Sequence, residues 1–142
     1  MEESQFRFET KIQMRWKDLD AIGHVNNATY LTYLEIARSQ YIMAACPGWD
    51  WRRDMFLIGN VNLNFIREIK LTDQDLTVCV RTSDIGNKSF VLEYRIVSGT
   101  TDNSIIHASG TTTQIMFDME DRKSIVIPDW VRKRLIDFDE IG

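Results

Sequence analysis

Hydrophobic and polar positions alternate along this chain in two rhythms. Phe6, Phe8, Ile12, Met14 and Trp16 alternate with Arg7, Glu9, Lys11, Gln13 and Arg15, with only Thr10 interrupting the apolar set. A period of two predicts a half-buried strand, ending near Lys17. After a polar stretch, Tyr30, Tyr33, Leu34, Ala37, Tyr41 and Ala44 fall at helical spacing, while Leu31, Ile36 and Ile42 widen the apolar face. That pattern predicts a long helix buried on most sides. Asn26 or Asn27 is placed to cap its start, and Pro47-Gly48 to stop it shortly after Ala45.

Beyond the helix the period returns to two. Val61, Leu63 and Phe65 alternate with Asn60, Asn62 and Asn64, then Leu76, Val78 and Val80 with Thr77, Cys79 and Arg81. Asp84-Ile85-Gly86-Asn87-Lys88 predicts a hairpin turn into Phe90, Leu92, Tyr94 and Ile96. Gly99-Thr100-Thr101-Asp102-Asn103 predicts another, into a long strand from Ile105 to about Phe117, and Asp118 to Arg122 the last turn. Pro128, with Trp130, Val131, Leu135 and Phe138 behind it, predicts a short terminal helix, a peripheral cover. One long helix followed by hairpins is an α+β arrangement, in which an antiparallel sheet closes around the helix.

Composition narrows the class. A chain of 142 residues, 44% hydrophobic, fits one domain over residues 1–142, without repeat or linker. The acidic start Met1-Glu2-Glu3-Ser4-Gln5 runs straight into a strand, and no apolar run has the length of a membrane span, so a cytoplasmic protein is expected. Cys46 and Cys79 lack a metal-like spacing and read as free thiols; with only two histidines besides, no metal site is expected. A net charge of −4 argues against nucleic acid as a partner. Nucleophile-elbow, phosphate-loop and dinucleotide motifs are all missing from the sequence.

Candidate chemistry concentrates between the first strand and the helix, in Arg15-Trp16-Lys17-Asp18-Leu19-Asp20-Ala21-Ile22-Gly23-His24-Val25-Asn26-Asn27-Ala28-Thr29-Tyr30. The first N–H groups of a helix have no internal partner and carry partial positive charge. A carboxylate just ahead of them leaves room for a substrate carbonyl between the two. The plain alternative is that Asp18 or Asp20 only caps the turn. His24 is either a structural histidine bonded to a turn carbonyl or an acid–base helper. Asn26 and Asn27 read as capping residues, Glu35 and Arg38 as a helix pair, and His107 as a core or cross-strand residue.

Asp18-Leu19-Asp20-Ala21-Ile22-Gly23-His24-Val25-Asn26-Asn27-Ala28-Thr29-Tyr30, continued by Tyr33-Leu34-Glu35-Ile36-Ala37-Arg38, resembles the signature of hot-dog-fold acyl-CoA thioesterases of the 4-hydroxybenzoyl-CoA thioesterase family. The resemblance implies that Asp20 is the catalytic carboxylate, as nucleophile or as general base, and that Asp18 is structural. It places the N–H groups around Asn27 where they polarise the thioester carbonyl. Carrier-protein thioesterases share a similar run, with an Asn two residues after the acid; here Ile22 stands there, whereas His24 is retained.

The expected reaction is hydrolysis of an acyl-CoA to free acid and CoA, needing no cofactor because CoA is part of the substrate. The alternatives are a carrier-protein thioesterase, a hot-dog hydratase and a non-catalytic acyl-CoA-binding module. Lys88 and Ser89, after the Gly86-Asn87 turn, are candidates for the CoA phosphates, with Arg67 and Lys70. A single sheet around one helix leaves edges, and long strands such as Ile105–Phe117 offer backbone groups to a partner, so a homodimer or homotetramer is expected, with each site between two subunits.

Overall fold

Each apolar run in the sequence becomes one element, and the helix ends up against the concave face of the sheet. The structure, a computed structural model, describes residues 6–100 and 103–141. In chain order these form β1 (Phe8–Lys11), α1 (Asn27–Ala45), β2 (Phe56–Phe65), β3 (Thr77–Ile85), β4 (Ser89–Ser98), β5 (Ile105–Asp118), β6 (Lys123–Ser124) and α2 (Asp129–Asp139). All strand pairs are antiparallel, in the order β1-β3-β4-β5-β2, with β6 on the end of β5. Thr101 and Asp102 of the second expected turn lie outside the described residues.

Alternation decides which side chains meet the helix. Val78, Val80, Phe90, Leu92, Tyr94 and Ile96 are fully buried against Tyr33, Leu34, Ala37 and Tyr41 of α1. The intervening residues of β4 stay half-exposed on the outer face. Gly110 is required where β2 crosses β5, since a Cβ there would lie 2.2 Å from the Asn62 carbonyl oxygen.

Four expectations need correction. The first strand is shorter than its alternation: pairing stops after Ile12 donates to Leu76 O, and Trp16–Asp18 form a 3-10 turn that Arg15 and Asp18 cap reciprocally. Helix α1 is not buried on most sides. Leu31, Ile36 and Met43 are exposed in the single chain, because the sheet covers one broad face only. The terminal helix is more than a peripheral cover, since Val131 and Leu135 are fully buried in the core. Finally, β5 has no free edge: it lies between β4 and β2, so the unpaired edges belong to β1 and β2.

Helix α2 is fastened by a buried polar knot. Asp139 accepts a hydrogen bond from the Thr82 N–H at 2.9 Å and another from the Tyr41 hydroxyl, which itself accepts from Thr82 Oγ1 at 2.7 Å. The other Asp139 oxygen is buried without a partner. Burial raises this carboxyl above its ordinary value, outweighing the Thr82 N–H, the Tyr41 hydroxyl and the charges of Arg81 and Arg7. An acid so raised stabilises the fold fully below its unfolded pKa and loses that contribution as pH rises through the folded one. Asp139→Asn should therefore gain stability relative to wild type as pH rises above about 4, the ordinary carboxyl value, measured as denaturant midpoints from acid to neutral pH.

Candidate active site

The 3-10 turn ahead of α1 and the loop that follows it give two acids opposite settings. Asp18 points inward, with its side chain 1% exposed, and its Oδ2 accepts from the Arg15 N–H at 2.9 Å and the Tyr33 hydroxyl at 2.7 Å. The Arg15 guanidinium donates to Oδ1 at 3.0 Å. Burial opposes ionisation of Asp18, but these hydrogen bonds outweigh it and hold the carboxyl below its ordinary range. Its backbone oxygen accepts from Asn26 N–H at 3.0 Å, tying the turn to the start of the helix.

Asp20 points the other way, into solvent. Its Oδ1 accepts from the N–H groups of Ile22 at 3.0 Å and His24 at 3.2 Å, while its own N–H donates to His24 O at 2.7 Å. Gly23, at φ +80, closes this turn in the left-handed region open to glycine. The loop thus orients the carboxylate through one oxygen. The other oxygen, Oδ2, makes no hydrogen bond among the described residues.

The helix start completes the arrangement. Asn26 is the cap, its side chain accepting from Ala28 N–H at 2.8 Å and its carbonyl from Thr29 N–H at 2.9 Å. The Asn27 N–H, first in the helix, has no backbone partner. It carries the positive end of a 19-residue helix with no acid in its first turn to neutralise it.

Asp20, His24, Asn27 and Arg67 line one cavity of about 370 Å³, with Ile22, Val25, Tyr30, Phe65, Ile66 and Glu68. Tyr30 and Phe65 meet edge to face there, with ring centroids 4.9 Å apart. The wall formed by residues 66–70 follows β2 and is bonded to the turn ahead of α1, since Val25 N–H donates to Ile69 O at 2.8 Å and His24 bridges to Lys70. The sequence pattern does not single out Ile66 and Glu68, because nothing local tells a residue 46 or 48 positions along the chain that it faces Asp20. Lys88 and Ser89 are not brought to this cavity within one chain. Ser89 pairs with Ile115 and Phe65 with Ala108, seven steps apart on β5, roughly 23 Å at 3.3 Å per residue. Arg38 reaches Tyr94 Oη at 3.3 Å rather than pairing with Glu35. Cys46 and Cys79 are free, with burial pushing their thiols up to about 12 and about 11.

The model of the Thioesterase-like superfamily matches residues 14–135, and the chain belongs to that family. It is 27% identical over 130 residues to the long-chain acyl-CoA thioesterase FadM of Escherichia coli, an alignment covering 89% of this chain and 96% of FadM. A thioesterase from Thermus thermophilus, solved with coenzyme A and Zn, superposes at a TM-score of 0.84, with 27% identity and coverage of 97% and 98%. A 4-hydroxybenzoyl-CoA thioesterase mutant complexed with 4-hydroxybenzoyl-CoA superposes at 0.79 with 17% identity, covering 90% of this chain and 97% of its own, and shares the fold. The fold is the α+β hot-dog fold, as the turn-and-helix motif implied. Among the described residues, no three His, Cys, Asp or Glu side chains come together as a metal site.

The opposite settings of the two acids make them separable by mutation. Asp18→Asn exchanges a charge-assisted knot for weaker bonds and should cost about 1.5–3 kcal/mol of stability at neutral pH. Because the Asp18 pKa is depressed, that contribution is present above its unfolded pKa and disappears as pH falls through the folded one. Asp20→Asn keeps an oxygen for the Ile22 and His24 N–H groups and should stay within about 0.5 kcal/mol of wild type. Urea denaturation of both variants near neutral pH and in acid checks each statement.

Proposed function

We propose that this thioesterase hydrolyses acyl-CoA, with Asp20 as the reacting carboxylate and the Asn27 N–H at the thioester oxygen. One observation carries the reading: a carboxylate held by one oxygen, with the other free, lines the same cavity as the unpartnered first N–H of α1. Water attacks the carbonyl carbon and passes a proton to Asp20 Oδ2, while negative charge gathers on the carbonyl oxygen near the helix start. Collapse breaks the C–S bond; the CoA thiolate leaves and takes up the proton held by Asp20, which restores the carboxylate and releases the free acid. Direct attack by Asp20 would give a mixed anhydride that water then opens, and the same geometry serves it. A thioester lacks the resonance stabilisation of an ester and has a good leaving group, so neither a metal nor a strong nucleophile is required.

His24 lines the cavity beside Asp20, and its N–H orients that carboxylate, which makes it a helper by position. Arg67 is exposed there and makes no ion pair among the described residues, which suits a phosphate of CoA. We place Lys88 and Ser89 at the nucleotide of a substrate bound to the neighbouring subunit, because they are too far from the cavity of their own. The subunits would join through β2, a ten-residue edge strand with Leu57, Ile58, Val61 and Phe65 exposed along it. CoA rather than a carrier protein as the acyl donor is favoured by the likeness to FadM, a long-chain acyl-CoA thioesterase, and by the CoA bound in the Thermus neighbour.

A panel of acyl-CoA substrates with a thiol reagent tests the activity. Asp20→Asn should lose about two to four orders of magnitude in kcat while still binding ligand. Near-wild-type turnover would remove Asp20 from the chemistry, and a wild type that binds every acyl-CoA tried without turnover would make the chain a binding module. Mixing Asp20→Asn subunits with Lys88→Glu subunits should restore turnover above that of either alone, by forming one intact site per hybrid dimer. An active monomer, shown by light scattering beside the assay, would end the shared-site reading.

A further inference from the structure

The cavity wall opposite Asp20 is held by a buried histidine that the chemistry above does not use. His107 is 0% exposed, the third residue of β5. It is also an extra residue: Ile96 pairs with Ala108 and the next residue, Val97, with Ile106, so His107 bulges from the β4–β5 ladder. A bulge lets two successive residues face the same way, and bulges are enriched beside active sites because they re-aim a side chain. Here His107 and Ala108 are both buried.

What the re-aimed ring reaches is the wall. Its Nδ1 lies 3.2 Å from Arg67 O and 3.1 Å from Glu68 O. Carbonyls only accept, so Nδ1 carries the proton, and in the neutral ring Nε2 accepts from Ser98 Oγ at 2.7 Å. The His107 carbonyl also accepts from the N–H groups of Ile66 at 2.9 Å and Arg67 at 3.1 Å. Four backbone groups of residues 66–68 that leave the β2 ladder are thereby bonded to a single residue. Packing alone would be served by an apolar side chain at this position, which would leave two carbonyls without these bonds.

We propose that His107 is a positioning residue that fixes the Ile66–Glu68 wall and so aims the Arg67 guanidinium at the phosphates of the substrate. This rests on the reading of Arg67 as a phosphate contact. Ring and guanidinium do not touch; the coupling runs through the Arg67 backbone.

The test compares an acyl-CoA with the pantetheine thioester of the same acyl group, which lacks the nucleotide and its phosphates. His107→Leu should raise KM for acyl-CoA about tenfold and for the pantetheine substrate less than about twofold, with kcat on both falling by no more than about twofold. His107→Asn, whose amide nitrogen occupies the place of Nδ1, should restore most of the CoA affinity; His107→Gln, whose nitrogen occupies that of Nε2, should not. If His107→Leu fails to fold, His107→Gln makes the same comparison. Adding Arg67→Ala to either variant should raise the ratio of the two KM values no further than Arg67→Ala alone. Equal losses on both substrates, or no rescue by Asn, would leave His107 a packing residue and overturn the proposal. If Arg67→Ala itself leaves the ratio unchanged, the phosphate reading of Arg67 fails, and the positioning role falls with it. If Arg67→Ala raises the ratio and His107→Leu does not, only the role of His107 is lost.

Discussion

Everything near Asp20 depends on where Asp18 is buried. Its side chain gathers the Arg15 N–H, the Arg15 guanidinium and the Tyr33 hydroxyl, and its backbone oxygen takes the Asn26 N–H. Those bonds join the end of the first extended segment, the middle of α1 and the cap of α1 into one unit. A buried carboxylate is tolerated only when such partners replace its water. Because the partners come from three places, the acid acts as a pin and not as a reagent.

The consequence appears two residues later. Asp18 closes the 3-10 turn with its side chain inward, and the loop from Leu19, bridged to Val25, then carries Asp20 outward, where the Gly23 turn folds the backbone N–H groups of Ile22 and His24 onto one of its oxygens. A carboxylate held through one oxygen has its geometry set in advance. Its solvent-facing oxygen remains available. Unbroken alternation would put residues two apart on one face, so it is the turn around Asp18, and not the Asp-Leu-Asp spacing, that gives the two identical side chains opposite settings.

Much of this was legible in the sequence because it is local. The period change at Tyr30, the Asn26 cap, the hairpin turns and the acid-rich loop all lie within about ten residues of what they determine. The limits were equally physical. Alternation through Met14 and Trp16 promised a longer strand, but alternation reports exposure on two faces, not the presence of a neighbouring strand, and Trp16 ends 78% exposed. The burial of Val131 and Leu135 depends on a gap at the end of the sheet that no local pattern records. His107 reads as a cross-strand residue until the ladder is seen to skip it, and a bulge belongs to a pair of strands, not to one.

The order of the strands explains why the cavity is open in one chain. Helix α1 covers β3 and its neighbours, so the concave face of β2 is left with Ile58 and Val61 exposed and the whole edge unpaired. Water can satisfy an exposed backbone edge, but it does not stabilise a row of apolar side chains beside it. The same strand runs directly into the wall that His107 holds, so whatever pairs with β2 also bears on residues 66–68 and on Arg67. A second copy seated on that edge would enclose the acyl side of the cavity and stiffen its far wall together. Assembly and substrate fit would then be one equilibrium, coupled through the strand that both share.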